Sequence, residues 1–356
     1  MTEIALITDT HFGVRNDSQS FLDNQRTFYD MVFFPELVKR RIKTVVHLGD
    51  VFDRRKQINF NTLRQVRSFF FDRLQDYGIK VIVIPGNHDM FFKNNSSVIG
   101  LRDILKSYDN IRIINEPQHV QVGGLDTVMC PWIGLDEHNP WLDQLAKLSN
   151  FKILLGHFEF NGFVMQHGQA ECQSGLNSDV FHEFDMILTG HFHEPSQKGN
   201  VWYLGAPSEY TWADHGCKRG FHILNTKNLQ VERIVNPYTM FHLLSDTDID
   251  TSSDMSHLTN KIVRVVTSPG VDRATVDYLV GVVGEHAPHK LEVIDSSNYH
   301  SGDDVVIIDR EALRNEDILV IMSGYVDNIK DDISVNPDTL KAHFERLYVE
   351  SMSLEV

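Results

Sequence analysis

Short runs of valine, isoleucine and leucine recur through the first 245 residues, and between them apolar residues return every three or four positions. The runs fall at 3–8, 44–48, 80–84, 111–114, 127–130, 152–155 and 186–189. They show little polar alternation, which predicts strands covered on both faces. The intervening stretches predict helices near 20–41, 60–77, 97–106 and 139–149. In the second of these, Phe60, Leu63, Val66, Phe70 and Leu74 recur at helical spacing. Strand–helix alternation of this kind predicts a layered α/β fold. Beyond residue 195 the helical stretches stop. Short strands are predicted at 201–204, 220–224 and 230–235, and they are expected to form the second sheet of a sandwich.

The pattern breaks at a polar, acidic stretch, 245–257, which reads as a linker. A small α/β unit at 258–300 follows, with a strand at 261–267, a helix at 271–285 and a strand at 290–294. Pro269, Gly270 and Asp272 mark the start of that helix. A second polar stretch, 296–304, leads to a tail, 305–356. Its last helix is predicted to begin at Asn336-Pro337, an N-cap residue with proline at the first helical position. Leu340, Phe344, Leu347 and Tyr348 would share one face of it. The sequence carries no internal repeat.

Composition narrows the class. A chain of 356 residues, 42% hydrophobic, is long enough for two domains with a sizeable core. No apolar run is long enough to span a bilayer, and the N-terminus enters a strand with no signal or transit segment before it. Only Cys130, Cys172 and Cys217 occur, far apart, so neither a disulfide framework nor a cysteine zinc site is expected; a cytoplasmic protein fits. The net charge of −16 is unevenly spread. Residues 246–356 hold 22 Asp/Glu against 9 Lys/Arg, a balance of −13, whereas residues 1–245 hold 27 against 24, a balance of −3. Bound divalent cations would bring the first part close to neutral. The acidic surplus points to a protein partner at the C-terminal end rather than to nucleic acid there.

Five segments at strand ends carry the chemistry: Asp9-Thr10-His11, Gly49-Asp50-Val51-Phe52-Asp53, Pro85-Gly86-Asn87-His88-Asp89, Gly156-His157 and Gly190-His191-Phe192-His193. In open α/β sheets, sites form at the carboxyl ends of strands. Their oxygen and imidazole donors, without thiolate, suit manganese, iron or zinc. Asp9-Thr10-His11, Gly49-Asp50 and Gly156-His157 alone would each read as an ordinary turn, whereas Pro85-Gly86-Asn87-His88-Asp89 sets two ligating or proton-transferring side chains side by side and Gly190-His191-Phe192-His193 matches no structural motif. Five in this order, each after an apolar run, read as a metal centre. The remaining histidines, among them His47, His119, His182 and His215, read as core or surface residues.

The set resembles the calcineurin-like metallophosphoesterase signature over about residues 3–195. That resemblance implies a four-layer α/β/β/α sandwich holding two divalent metal ions, Mn²⁺ first with Mg²⁺ as the other choice. One metal would take Asp9, His11, Asp50 and His193, and the other Asp50, Asn87, His157 and His191, with Asp50 bridging. His88 matches the non-ligand histidine that protonates the leaving oxygen, and Asp53 the carboxylate that holds this histidine. The SbcD-like DNA-repair nuclease branch is resembled further in Arg54, Arg55 and Lys56, a basic run where a DNA backbone would lie, and in Gly205-Ala206-Pro207 and Gly220-Phe221. The segments 156–163 and 347–350 look like the phage members of that branch. The resemblance implies a nuclease acting on DNA ends and single-stranded DNA, a DNA-facing cap at 258–300 and a tail binding an ABC-type coiled-coil (SbcC-like) ATPase. It also implies a homodimer formed through helices of the catalytic domain. The alternative on the same core is a metal-dependent phosphatase or phosphodiesterase. Against a protein phosphatase stands Gly86-Asn87-His88-Asp89, where that group usually shows glutamate in the last position.

Overall fold

The computed structural model describes residues 2–92, 94–134, 138–165, 171–173, 175–249 and 254–295, with Leu340, Lys341 and His343. Its strands are β1 (Glu3–Ile7), β2 (Thr44–His47), β3 (Lys80–Val83), β4 (Ile111–Ile113), β5 (Gln118–Val122), β6 (Leu125–Cys130), β7 (Ile153–His157), β8 (Met186–Gly190), β9 (Ser196–Lys198), β10 (Val201–Tyr203), β11 (Gly220–Asn225) and β12 (Val231–Val235). They form two six-stranded sheets, ordered β12-β11-β1-β2-β3-β4 and β5-β6-β7-β8-β10-β9. In each sheet the strands that carry the motifs run parallel: β1, β2 and β3 in the first, β7 and β8 in the second.

Side-chain alternation builds the layers. Along β1, Ile4 and Leu6 face an apolar cluster shared with Leu155, Leu188 and Leu204 of the second sheet, whereas Ala5 and Ile7 face the aromatic helices. On the second sheet Leu155 joins the cluster between the sheets, and Leu154 faces outward beneath Trp141 and Leu145 of the helix His138–Leu148. Helix, sheet, sheet and helix therefore stack in that order, the predicted four-layer sandwich.

Two long helices, 19–39 and 60–76, cover the first sheet. Each contains a π-helical turn, Tyr29–Phe33 in one and Arg67–Phe71 in the other. The extra residue in each turn rotates a cluster of rings inward. Tyr29 and Phe70 lie 4.9 Å apart by centroid, and Phe33 meets Phe221 edge-on at 4.8 Å. These rings are almost wholly buried and form the stiff layer on which the motif-bearing strands rest.

One predicted assignment changes. Of the strands past residue 195, only β9 and β10 enter the second sheet. β11 crosses back to pair antiparallel with β1, and β12 pairs with β11. Tertiary packing decides this: Phe221 and Ile223 are buried against the aromatic helices, a destination that local pattern does not encode. Past residue 258 the chain forms β14 (Ile262–Thr267), the helix Arg273–Gly284 and β15 (Lys290–Asp295). Asp272 caps that helix through Thr275 N at 3.0 Å. A third parallel strand, β13 (Phe241–Ser245), joins its edge, so the boundary expected at 245 falls at the end of a strand of this sheet. The rest of the predicted tail, except Leu340, Lys341 and His343, lies outside the described residues. No helix among those described is long and apolar enough to cross a membrane.

Phe70 is 1% exposed at the centre of the ring cluster. Phe70→Ala is expected to lower unfolding stability by ~3–5 kcal/mol through the cavity it leaves, read as a shift in the urea midpoint at unchanged slope.

Candidate metal centre

The carboxyl ends of β1, β2 and β3 face those of β7 and β8, and every predicted ligand lies in the crevice between them. Asp9 and His11 follow β1, Asp50 follows β2, Asn87 follows β3, His157 ends β7, and His191 and His193 follow β8. Four of these, Asp9, His11, Asp50 and His191, have positive φ of 51°, 40°, 54° and 92°. A non-glycine residue is rarely held there, and several at once mark a site in which the surrounding structure imposes the geometry. Gly49 (φ +104°) and Gly86 pack backbone to backbone beneath Asp50, where a Cβ on either would collide with the other loop.

Two donor sets result. In one, His11 Nε2 and His193 Nε2 are 3.1 Å apart, with Asp9 Oδ1 4.0 Å from His11 Nε2. In the other, Asn87 Oδ1 lies 3.1 Å from both His157 Nε2 and His191 Nδ1. Asp50 stands between them: its Oδ2 is 3.4 Å from His157 Nε2 and 3.7 Å from His11 Nε2, while its Oδ1 accepts from His88 N at 2.8 Å.

The second set fits a cation on the chemistry of its donors. His191 Nε2 lies 3.0 Å from the Glu159 carboxylate, and burial pulls this imidazole down to about 4, so it is neutral. Its one proton therefore sits on Nε2, and Nδ1 presents a lone pair to the Asn87 amide. In the metal-free chain that amide satisfies its neighbours with Nδ2 turned inward, donating to His191 Nδ1, Asp50 Oδ2 and His157 Nε2 at 3.1–3.2 Å, while Oδ1 accepts from Arg55 Nη2; turned the other way, Oδ1 would face a cation. His157 donates from Nδ1 to Leu48 O at 2.7 Å, which likewise frees Nε2 for the centre.

In the metal-free chain, protons take over part of this role. Burial opposes charge on His11, but Asp53, Asp50 and Asp9 outweigh it and lift the imidazole to about 9. Burial is likewise outweighed at His157, where Asp50 and Asp9 also raise the value to about 9. The same charges, His157 first, hold Asp50 well below the carboxylate range despite its burial.

The residues outside the ligand sets are placed as follows. His88 lies beside the centre, its ring edge-on to His11 at 4.8 Å, and burial pulls its pKa below the usual histidine value. Its Nδ1 donates to the main-chain carbonyl of Asp53. The Asp53 carboxylate points instead at His11, 3.4 Å from Nδ1. Arg54 is turned away onto Asn16 and Asp17. Arg55 is half-buried beside Asn87, and Lys56 is exposed.

Sequence reasoning missed the supports. Asp89 sat inside a recognised motif without a role. Its buried carboxylate accepts from Asp50 N, Val51 N and Gly86 N at 2.9, 3.0 and 2.9 Å, stapling the β2 loop to the β3 loop. Glu159, two residues past His157, fixes the His191 tautomer; its spacing in an extended segment was the available signal. His47 accepts from Gly49 N and bonds Thr10, and the Tyr210 hydroxyl donates to the carbonyls of Asp9 and Thr10 at 2.8 Å. Arg219, paired with Asp214 at 2.6 Å, donates to His193 O.

Three consequences are measurable. Loading divalent metal at pH 7 displaces protons from His11 and His157, since both stand near 9 in the free chain. Calorimetry in buffers of different ionisation enthalpy should show a net release approaching two protons, and affinity should rise with pH toward 9. Glu159→Gln removes the charge behind His191 and should weaken metal binding ~10–100-fold. Asp50→Asn should deplete both sites, and Asn87→Ala mainly one, by metal analysis of the purified protein.

The chain is similar to several known proteins. Over 350 residues the chain is 28% identical to exonuclease subunit 1 of Enterobacteria phage T4, covering 98% of this chain and 99% of that protein. It is 27% identical over 202 residues to the DNA double-strand break repair protein Mre11 of Sulfurisphaera tokodaii, covering 54% of this chain and 49% of the relative. A dimetal phosphatase from Danio rerio superposes with a TM-score of 0.42 at 12% identity, covering 67% of this chain and 99% of that one. The calcineurin-like phosphoesterase family matches residues 2–195, the span that carries every donor described above, and the chain belongs to that family.

Proposed function

We propose that the chain is the nuclease subunit of an SbcC–SbcD-type complex, a Mn²⁺-dependent exonuclease and endonuclease that hydrolyses phosphodiester bonds at DNA ends. The observation that carries this reading is the convergence of the Asn87, His157, His191 and Asp50 side chains on one buried point within a chain similar over 98% of its length to a phage exonuclease subunit. Asp9, His11, Asp50 and His193 would hold one cation and Asp50, Asn87, His157 and His191 the other. The donors are oxygen and imidazole throughout, which suits Mn²⁺. When bound, the two cations supply charge neutralisation at the phosphoryl group and an acidified water.

The chain's own residues do the rest. His88 is fixed by its Nδ1–H on the Asp53 carbonyl, so Nε2 is the atom that carries a proton to the leaving oxygen. Burial disfavours that proton in the free protein. The negative charge of an arriving phosphodiester favours it. Asp53 serves the reaction twice, through its carbonyl on His88 and its carboxylate behind His11.

In this reading the tail at 305–356 binds an ABC-type coiled-coil ATPase and the unit at 258–300 faces DNA. The catalytic unit pairs with a second copy. The acidic charge concentrated past residue 245 supports a protein partner there. Phe60, 88% exposed at the start of the helix Phe60–Val66, is an apolar side chain of the kind a second copy covers.

Incubation of the purified protein with Mn²⁺, labelled duplex DNA and p-nitrophenyl phosphate tests the central reading. DNA cleavage supports it, and hydrolysis of the monoester alone replaces it with a phosphatase. His88→Ala should keep its metal and lose ~10²–10⁴-fold in DNA cleavage. The loss should be much smaller on bis(p-nitrophenyl) phosphate, whose leaving group needs no proton. Truncation after Asn328 should spare Mn²⁺-dependent cleavage of short single strands and abolish co-purification with the ATPase.

A further inference from the structure

Just past Asp89 the chain leaves the metal centre in a loop, 90–99, whose two ends are joined. Met90 and Ile99 form an antiparallel bridge, Phe91 N donates to Val98 O at 3.0 Å, and Gly100 N donates to Asp89 O at 3.1 Å. Met90 and Ile99 are buried in the aromatic core. The far side of the loop rests on the segment after β6, where Asn94 O lies so close to Gly134 that a Cβ there would collide with it. That segment borders the second donor set. Trp132 N donates to Pro85 O at 2.9 Å, and its half-buried ring stands 4.9 Å from that of His191. The loop is therefore fastened to the rim of the crevice at its root and at its tip.

Phe91 and Phe92 do not follow Met90 inward. They are 39% and 44% exposed, and they meet each other edge-on at 4.9 Å. Neither belongs to an apolar cluster of the described residues. Adjacent rings left at the surface beside a reaction centre mark a contact with something outside the chain. The formal balance of −3 over residues 1–245 limits what holds a polyanion there, because a basic surface is lacking. Ring faces attract without charge. Every nucleobase has a π-face, and stacking on an aromatic side chain tolerates any sequence. In a duplex those faces are covered by neighbouring bases, so a base reaches a ring only when it is unpaired.

We propose that Phe91 and Phe92 form a stacking platform for an unpaired nucleobase next to the scissile phosphate, which biases the site toward single strands and frayed ends over paired DNA. This rests on the nuclease reading above. The edge-on pairing steadies each ring against the other and leaves aromatic surface open to solvent. The platform positions the strand and takes no part in proton transfer or bond breaking.

The test uses full-length protein loaded with Mn²⁺: wild type and the double variants Phe91→Ala/Phe92→Ala, Phe91→Leu/Phe92→Leu and Phe91→Tyr/Phe92→Tyr. Each is given a short single-stranded oligonucleotide and the same backbone with abasic tetrahydrofuran residues in place of its nucleotides' bases. Metal per chain and oligomeric state are measured alongside. Wild type is expected to prefer the base-bearing strand ~10-fold or more in kcat/KM, the effect of a stacked base. The alanine variant should lose that preference at wild-type metal content, the leucine variant should lose most of it despite its apolar surface, and the tyrosine variant should keep it. The slope of log kcat/KM against log salt should be the same in all four, because no charge is removed. An alanine variant that keeps the preference would overturn the proposal. So would an equal loss on both strands, which would make the rings supports of the metal centre, and so would a changed oligomeric state with the preference intact, which would assign them to a second copy. Wild type that cuts both strands equally would end the platform and leave the nuclease reading standing, whereas hydrolysis of p-nitrophenyl phosphate with neither strand cut would sink the nuclease reading itself.

Discussion

The crowding of four buried polar groups at one point is the constraint on which this structure turns. The Asn87 amide, His191 Nδ1, His157 Nε2 and Asp50 Oδ2 are brought together within hydrogen-bond and ion-pair distances. Left to itself, a chain relaxes such a cluster by letting loops part. Here the loops are held: Asp89 binds three main-chain N–H groups across two of them, and Gly49 and Gly86 allow their backbones to touch. The positive φ at Asp9, His11, Asp50 and His191 shows the same restraint in the backbone, at ~1–3 kcal/mol for each such residue. Preorganisation of this sort removes the reorganisation cost when a cation arrives.

The restraint must be anchored in something stiff, and the layers supply it. The strands that end in ligands are buried on both faces, one toward the other sheet and one toward the aromatic helices. Interdigitated rings resist displacement better than flexible aliphatic chains, because few rotamers fit the same space. Tyr210 extends this stiffness to the site itself. Its hydroxyl donates to the carbonyls of Asp9 and Thr10, and its ring stands edge-on to both His11 and His193. Arg219 does the same for the main chain of His193 from the opposite side, with Asp214 neutralising it.

What could be read from the sequence follows from how local each signal was. The candidate ligands were legible because each sits within four residues of an apolar run's end, and strand ends are where open sheets place chemistry. The small unit's helix was legible from Pro269, Gly270 and Asp272. The supports were not, because their roles exist only after folding: Glu159 matters through His191, 32 residues on, and Asp89 through main-chain groups of another loop. Asp53 shows the same limit within a motif. Its position was legible, but which of its oxygens faces which histidine depends on the turn, and the carbonyl rather than the carboxylate reaches His88. The return of β11 to the first sheet was hidden for a related reason. Nothing in its six residues distinguishes a neighbour for β1 from a neighbour for β8.

The distribution of charge bears on how the catalytic part meets an anionic polymer. Residues 1–245 carry a formal balance of −3, and one of the three basic residues beside the crevice is committed to an internal contact. A nuclease that relied on a basic surface would need more than this, since phosphate contacts from Lys and Arg dominate non-specific affinity. Two divalent cations in the crevice would add four positive charges at the point where a phosphate must lie, turning the balance slightly positive there. Attraction for the backbone would then be concentrated at the reacting bond instead of being spread along a groove. Such a unit holds DNA weakly unless it is loaded with metal. The acidic surplus past residue 245 adds nothing to that attraction, since its formal balance of −13 opposes an anionic polymer.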